Sequence, residues 1–254
     1  MIVTDLDGTL LDHDDYSFCA AKPAVAMVKQ HAIPLVLATS KTAAEVGPLH
    51  AELGLGDTPA IVENGSGIMR PGKDADFDNS AYLKIRTALN DVPSSLRPKF
   101  KGFGDMTDAE VSGISGLGLR DACDARRRAF SEPGLWFGTA VERAEFQAIL
   151  EDQAITCRFG GRFLTLSHGK TKADAMAEEA HELSAKRNVE LGDAPKDIEK
   201  LEGADLGVIL PNPHGTQVPT LAGEVNGRIR RASLPGPAGW NASVLAILEE
   251  LGAG

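Results

Sequence analysis

Two carboxylates two residues apart, in Asp5-Leu6-Asp7-Gly8-Thr9, are the side chains of this 254-residue sequence best suited to covalent chemistry. The β-branched run Ile2-Val3-Thr4 before them reads as the end of a buried strand. Both acids would therefore leave the sheet together and point into one space. Gly8 permits a sharp turn there. A carboxylate can act as a covalent nucleophile and is a hard oxygen ligand for Mg²⁺. A second carboxylate close by can give a proton to a leaving group. A solvated turn would use the same residues, and chance alone produces such a pentapeptide in roughly a few chains per thousand of this length. The choice rests on whether the rest of the chain completes a phosphate site.

Phosphoryl transfer needs an in-line nucleophile, neutralising charge for the equatorial oxygens, and a proton for the leaving oxygen. Asp5 and Asp7 offer nucleophile and acid. Thr39 and Ser40 offer hydroxyl and backbone donors. Lys172 or Lys170 offers a fixed positive charge, and Asp193 with Asp197 offers carboxylates for a metal. Mg²⁺ suits such ligands. Taken singly, each group has an ordinary role. Thr39 and Ser40 could cap a helix, Asp193 and Asp197 could be turn residues, and the lysines could open a solvated helix. Arg158 and Arg162 could lie along the surface, and His168 and His214 lack ligand spacing. The ordinary readings lose ground together, because every piece follows an expected strand or opens an expected helix.

The elements that must position these groups alternate. Strands are expected at Pro34–Ala38 and Ala60–Val62. Helices are expected over Lys22–Gln30 and Ala43–Leu53, the second kinked or late-starting at Gly47-Pro48. This pattern predicts an α/β fold with a Rossmann-like parallel sheet, whose ligand sits beyond the carboxyl ends of the strands. Asp5, Asp7, Thr39, Ser40 and Asn64 all fall at such ends. Residues 73–167 read differently. A polar linker over Gly72–Asp78 leads to helices at Asn79–Asn90, Asp108–Ser115, Arg120–Phe130 and Val141–Asp152. A strand is expected at Leu135–Phe137, and a hairpin turning at Gly160-Gly161. The sheet pattern resumes with a helix over Thr171–Leu183, a strand at Asn188–Leu191, a short helix at Asp197–Glu202, a strand at Leu206–Leu210 and a closing helix at Trp240–Leu251. The organisation predicted is a core of residues 1–72 and 168–254 with an inserted α+β cap of residues 73–167, hinged near Gly72 and Ser167.

The formal net charge of −10 argues against a nucleic-acid or anionic-membrane partner. A small phosphorylated anion must then be met by local cations or a metal. The three cysteines, Cys19, Cys123 and Cys157, have neither zinc nor disulfide spacing and are expected to be buried thiols. No basic segment or apolar signal core precedes the first strand, and no apolar run approaches spanning length, so a cytoplasmic location is expected.

Asp5-x-Asp7-Gly8-Thr9, Thr39, Lys172 and Gly192-Asp193-x-x-x-Asp197 resemble the four signature motifs of the haloacid dehalogenase superfamily of phosphatases. Thr39-Ser40-Lys41-Thr42, Glu63-Asn64-Gly65, Ser131-Glu132-Pro133, Gly160-Gly161-Arg162-Phe163 and Pro235-Gly236-Pro237-x-Gly239-Trp240 are similar to its mannosyl-3-phosphoglycerate phosphatase family. The resemblance implies a Mg²⁺-dependent phosphatase that forms an aspartyl-phosphate on Asp5. Asp7 would serve as acid and base, and Thr39 and Lys172 would hold the phosphoryl group. Asp5, the Asp7 carbonyl and Asp193 would ligate Mg²⁺, with Asp197 in support. Ser40, Lys41, Asn64, Arg162 and Lys196 are the implied substrate contacts. Mannosyl-3-phosphoglycerate is the implied substrate. Glucosyl-3-phosphoglycerate or another small phosphate is the alternative, and a phosphosugar mutase or a non-catalytic binding module ranks lower. Two departures stand out. Lys196 replaces an asparagine, and Thr171-Lys172-Ala173 matches only the lysine of Asp-Lys-Gly, which leaves Lys170 as an alternative.

Overall fold

The computed structural model describes residues 1–72 and 78–252, so most of the linker expected at Gly72–Asp78 lies outside the described residues. The first run of elements is β1 (Ile2–Thr4), α1 (Lys22–Gln30), β2 (Leu35–Ala38), α2 (Ala43–Leu53), β3 (Ala60–Val62) and β4 (Gly67–Met69). The middle run is α3 (Ser80–Asp91), β5 (Phe100–Gly102), α4 (Asp108–Ser115), α5 (Leu119–Arg126), β6 (Ser131–Trp136), α6 (Ala140–Glu151), β7 (Thr156–Gly160) and β8 (Phe163–Ser167). The last is α7 (Lys172–Glu182), β9 (Val189–Gly192), α8 (Ile198–Gly203), β10 (Leu206–Ile209), β11 (Ile229–Arg231) and α9 (Gly236–Glu250).

The first and last runs share one sheet in the order β11-β10-β9-β1-β2-β3-β4. All its pairings are parallel except β3 with β4. β1 lies between β2 and β9, with Thr4 beside Leu37 and Leu191. Its residues are apolar without alternation because both faces are covered. Ile2 packs with Val25 and Val28 of α1 and Trp240 and Val244 of α9, while Val3 packs on the other face with Ala175 and Met176 of α7. The middle run forms an antiparallel sheet, β5-β6-β8-β7, with a separate apolar core around Phe100, Phe146 and Leu164. The α/β class and the parallel sheet expected from the sequence are present.

Some elements differ from expectation. α2 runs unbroken from Ala43 with Pro48 inside it. A reciprocal cap between Thr42 and Glu45 starts it, Gly54 in the left-handed region ends it, and burial of Val46, His50 and Leu53 outweighs the one backbone bond Pro48 cannot make. α5 stops at Arg126 rather than Phe130, because the amides of Ala129 and Phe130 turn to the Glu63 carboxylate at 2.8 and 3.2 Å. The hairpin turns at Gly161-Arg162, one residue later than expected, since Gly160 already pairs with Phe163 and Gly161 is the glycine with positive φ. β6 begins at Ser131 and α9 at Gly236, each four residues earlier than expected. β4, β5 and β11 were not anticipated. Each has three residues and lies at a sheet edge, too short for a periodic signal. Of the cysteines only Cys157 is buried. Cys19 lies on the turn before α1 and Cys123 on an outer position of α5, both in solvent. No described helix is long and apolar enough to cross a membrane.

Candidate active site

Asp5 follows β1, and its backbone is fixed from two sides. Its amide donates to the Leu191 carbonyl of β9 at 3.1 Å. Its carbonyl accepts from the Thr4 hydroxyl at 2.8 Å, and that hydroxyl accepts from the buried Trp240 indole at 3.0 Å. The carboxylate is 1% exposed and sits between two lysines, Lys172 Nζ at 2.7 Å from Oδ1 and Lys196 Nζ at 2.9 Å from Oδ2. Burial alone would raise its pKa, but Lys172, Lys196 and Lys200 together hold it well below the usual carboxylate range. Asp5 is thus an ionised carboxylate with a lysine ammonium at each oxygen.

Lys172 reaches Asp5 because α7 begins there. Thr171 accepts from the Asp174 amide at 3.1 Å, and the Asp174 carboxylate accepts from the Thr171 amide at 2.9 Å. Lys172 is also buried and lies 3.3 Å from Asp197 Oδ1. Lys170 instead pairs with Glu178 at 2.5 Å. Of the two candidate lysines, Lys172 is the one at Asp5.

Asp193 and Asp197 flank the same carboxylate. Asp193 accepts from the Thr9 hydroxyl at 2.8 Å and the Asn212 amide at 2.5 Å. Burial and the neighbouring Asp5 charge push its pKa up. Asp197 faces Lys172, with Lys200 at 3.7 Å, and accepts from the Ala194 amide at 3.4 Å. Oxygens of Asp5, Asp193 and Asp197 all lie within 4.8 Å of one another, and all three residues are buried. Gly8 shapes this pocket. Its φ is +77°, and a Cβ there would stand 2.8 Å from Asp193 Oδ2. Three buried carboxylates whose oxygens lie this close are hard donors that fit a Mg²⁺ ion. The Asp7 carboxylate is not part of this trio and pairs with Lys41 at 3.2 Å.

Thr39 stands at the end of β2, its amide bonded to Ile61 and its carbonyl to the Asn64 amide, both at 2.9 Å. Its hydroxyl accepts from the Lys41 amide at 3.2 Å, which leaves the hydroxyl proton free to donate. Asn64 and Glu63 take positive φ, 60° and 50°. The following Gly65 lets this turn press on α7, since a Cβ there would lie 2.2 Å from the Thr171 carbonyl carbon. Lys41 lies over the Tyr16 ring, and although burial opposes its charge, Asp7 and Glu45 raise its pKa. The Ser40 carbonyl accepts from Arg128 of the middle run at 3.3 Å. Arg162 bonds the Ile114 carbonyl at 2.6 Å and stacks on Phe163, with no bond to the Asp5 group.

Several groups escaped the sequence reading. Asn212 lies after β10, at the carboxyl edge that singles out Asp193, and the same rule could have found it. Lys200 is fully buried against the Leu191 carbonyl at 2.7 Å and Glu190 at 3.2 Å. A glutamate inside a buried strand was the available signal. Glu63, which accepts from Ala129, Phe130 and Ser131 and faces Arg128, stood out in the sequence only as part of the Glu63-Asn64-Gly65 motif, with no sign of these partners.

Residues 2–90 match the family of haloacid dehalogenase-like hydrolases. The chain is also 33% identical over 270 aligned residues to the glucosyl-3-phosphoglycerate/mannosyl-3-phosphoglycerate phosphatase of Persephonella marina, covering 99% of this chain and 98% of that one. The chain belongs to this phosphatase family of haloacid dehalogenase-like hydrolases. It is a phosphoric monoester hydrolase. A phosphatase of the same name from Methanococcoides burtonii is 30% identical over 98% of this chain and 97% of its own length. The sucrose-phosphatase of Synechocystis, solved with sucrose and phosphate, shares the phosphatase fold with a TM-score of 0.60 at 15% identity, over 99% of this chain and 97% of that one.

Proposed function

We propose that this phosphatase hydrolyses mannosyl-3-phosphoglycerate to mannosylglycerate and phosphate through an aspartyl-phosphate on Asp5. The observation that carries the mechanism is a buried, ionised Asp5 with a lysine ammonium at each carboxylate oxygen. A carboxylate oxygen of Asp5 attacks phosphorus while the bond to the leaving oxygen breaks. Asp7 gives that oxygen its proton and then takes a proton from the water that splits the acyl phosphate. The Thr39 hydroxyl and Lys172 bind the phosphoryl oxygens. Asp5, Asp193, the Asp7 carbonyl and the supporting Asp197 would hold Mg²⁺, which when bound adds positive charge against the phosphoryl group. Lys41, freed from Asp7, meets the substrate's carboxylate, with Ser40, Asn64 and Lys196 around the phosphoryl end. Residues 73–167 act as the cap that selects the sugar, and Arg162 contributes from that side. A cytoplasmic site of action follows for a soluble sugar-acid phosphate.

The double name of both relatives favours a second substrate, glucosyl-3-phosphoglycerate, handled by the same residues. Phosphate release from the mannosyl and glucosyl compounds and from a simple sugar phosphate, each with Mg²⁺ and with chelator, tests the reading. Metal-dependent release from either phosphoglycerate is expected. Release only from the sugar phosphate would remove the substrate assignment, and release unaffected by chelator would remove the metal.

A further inference from the structure

Lys196 stands where the resembled family carries asparagine. Its side chain is 41% exposed, and its ammonium reaches Asp5 Oδ2 at 2.9 Å. Lys172 already holds Oδ1 at 2.7 Å. A divalent ion that takes Asp5 through Oδ2, the oxygen Lys172 leaves open, meets the Lys196 ammonium there. The charges point the same way. Asp5, Asp193 and Asp197 bring three negative charges to the centre, and Lys172, Lys196 and Lys200 bring three positive ones. Glu190, behind Lys200, is the fourth acid, and burial pushes its pKa up to about 8. The centre is thus close to neutral before any metal arrives. With asparagine at position 196 it would hold one uncompensated negative charge.

We infer that Lys196 is an internal counter-cation that a divalent metal must displace from Asp5, so that this chain binds Mg²⁺ more weakly than its asparagine variant. The inference rests on the metal-dependent phosphatase reading above. Displacement moves the ammonium outward on a side chain that is already part-exposed, where an arriving phosphate offers it a new anionic partner. Repulsion between a monovalent and a divalent cation at a few ångströms, even at an effective permittivity of about 20, exceeds what a tenfold change in affinity requires.

Calorimetric titration with Mg²⁺ alone, without substrate, tests this on the wild type, Lys196→Asn and Lys196→Met. Lys186→Asn serves as the control. It removes one exposed positive charge ahead of β9, at the opposite end of the sheet from Asp193. The expected result is a Kd at least tenfold lower in both Lys196 variants and within twofold of wild type in the control. Mg²⁺ should also raise the Tm of the Lys196 variants more than that of the wild type. A smaller fall in Kd, a rise, or an equal fall in the control overturns the inference. Phosphate release by the wild type separates the two failures. Metal-dependent release with unchanged Kd values sinks the role of Lys196 alone, whereas no release sinks the reading beneath it.

Discussion

Lys172 Nζ lies 2.7 Å from Asp5 Oδ1, and both side chains are almost wholly shut off from water. A buried ammonium at one carboxylate oxygen keeps Asp5 ionised and oriented. Lys172→Met is expected to lower kcat by about a thousandfold, the scale of losing one preorganised charge on a developing oxyanion. Asp5→Asn is expected to abolish turnover and keep the fold, because the amide fills the same volume. Asp5 also ties charge to stability. Its folded pKa is depressed, so its contribution is present above the unfolded value near 3.8 and is lost as pH falls through the folded one. Steady-state assays beside near-ultraviolet circular dichroism check both variants, and substantial turnover by Asp5→Asn would remove it as nucleophile.

Gly8 is irreplaceable on two counts, its φ of +77° and the 2.8 Å between its would-be Cβ and Asp193 Oδ2. Gly8→Ala is expected to cost about 1–2 kcal/mol in strain. It should lower kcat/KM more than tenfold, because the group that must yield is a candidate metal ligand held by Thr9 and Asn212. Urea unfolding and kinetics on the same preparation check this. A variant with normal kcat/KM would show that Asp193 can move without consequence.

How far the sequence foretold this arrangement depends on whether local chemistry decided each element. β1, β2 and β3 were legible because both faces are apolar, and α1, α4 and α7 because proline or a threonine cap marks their starts. Asp5, Thr39, Lys172 and Asp193 were legible because each ends a strand or opens a helix in one parallel sheet. The end of α5 was not, because the Glu63 carboxylate that captures Ala129 and Phe130 is more than sixty residues away in sequence. Nor was the Lys196–Asp5 contact, since a lysine in a turn reads as solvated until the fold brings Asp5 beneath it. Tertiary contact overrode local preference at these positions.

Arg128 couples the middle run to the sheet edge that carries the candidate site. Its Nε lies 3.2 Å from Glu63 Oε2, and its guanidinium donates to Ser131 at 2.8 Å and to the Ser40 carbonyl at 3.3 Å. Arg128→Met keeps most of the volume but leaves the buried Glu63 charge to its remaining hydrogen-bond donors. The expected cost is about 3 kcal/mol. For a chain of this size that corresponds to a fall in Tm of roughly 6–12 °C. KM should rise as the Thr39–Lys41 turn loosens. Differential scanning calorimetry reads the first effect, and a Tm within 2 °C of wild type would show that Arg128 holds nothing together.

Glu190 sits in the centre of the sheet with both carboxylate oxygens buried and outside any close hydrogen bond, 3.2 Å from Lys200 Nζ. Burial pushes its pKa up to about 8, against the pull of Lys200. The sign follows from which state keeps the proton. Between about pH 4.5 and 8 the folded chain holds the Glu190 proton and the unfolded chain releases it. Its contribution to stability is therefore full below the unfolded pKa, is lost as pH rises through that window, and is level above it. Glu190→Gln removes the titration and keeps the shape and an acceptor toward Lys200. The variant should gain stability relative to wild type from pH 5 to pH 8, up to a ceiling of roughly 4–5 kcal/mol at 1.36 kcal/mol per pH unit. Urea unfolding at pH 5, 6.5 and 8 measures that difference. Parallel curves for the two proteins would mean that Glu190 stays ionised throughout, as the permanent partner of Lys200.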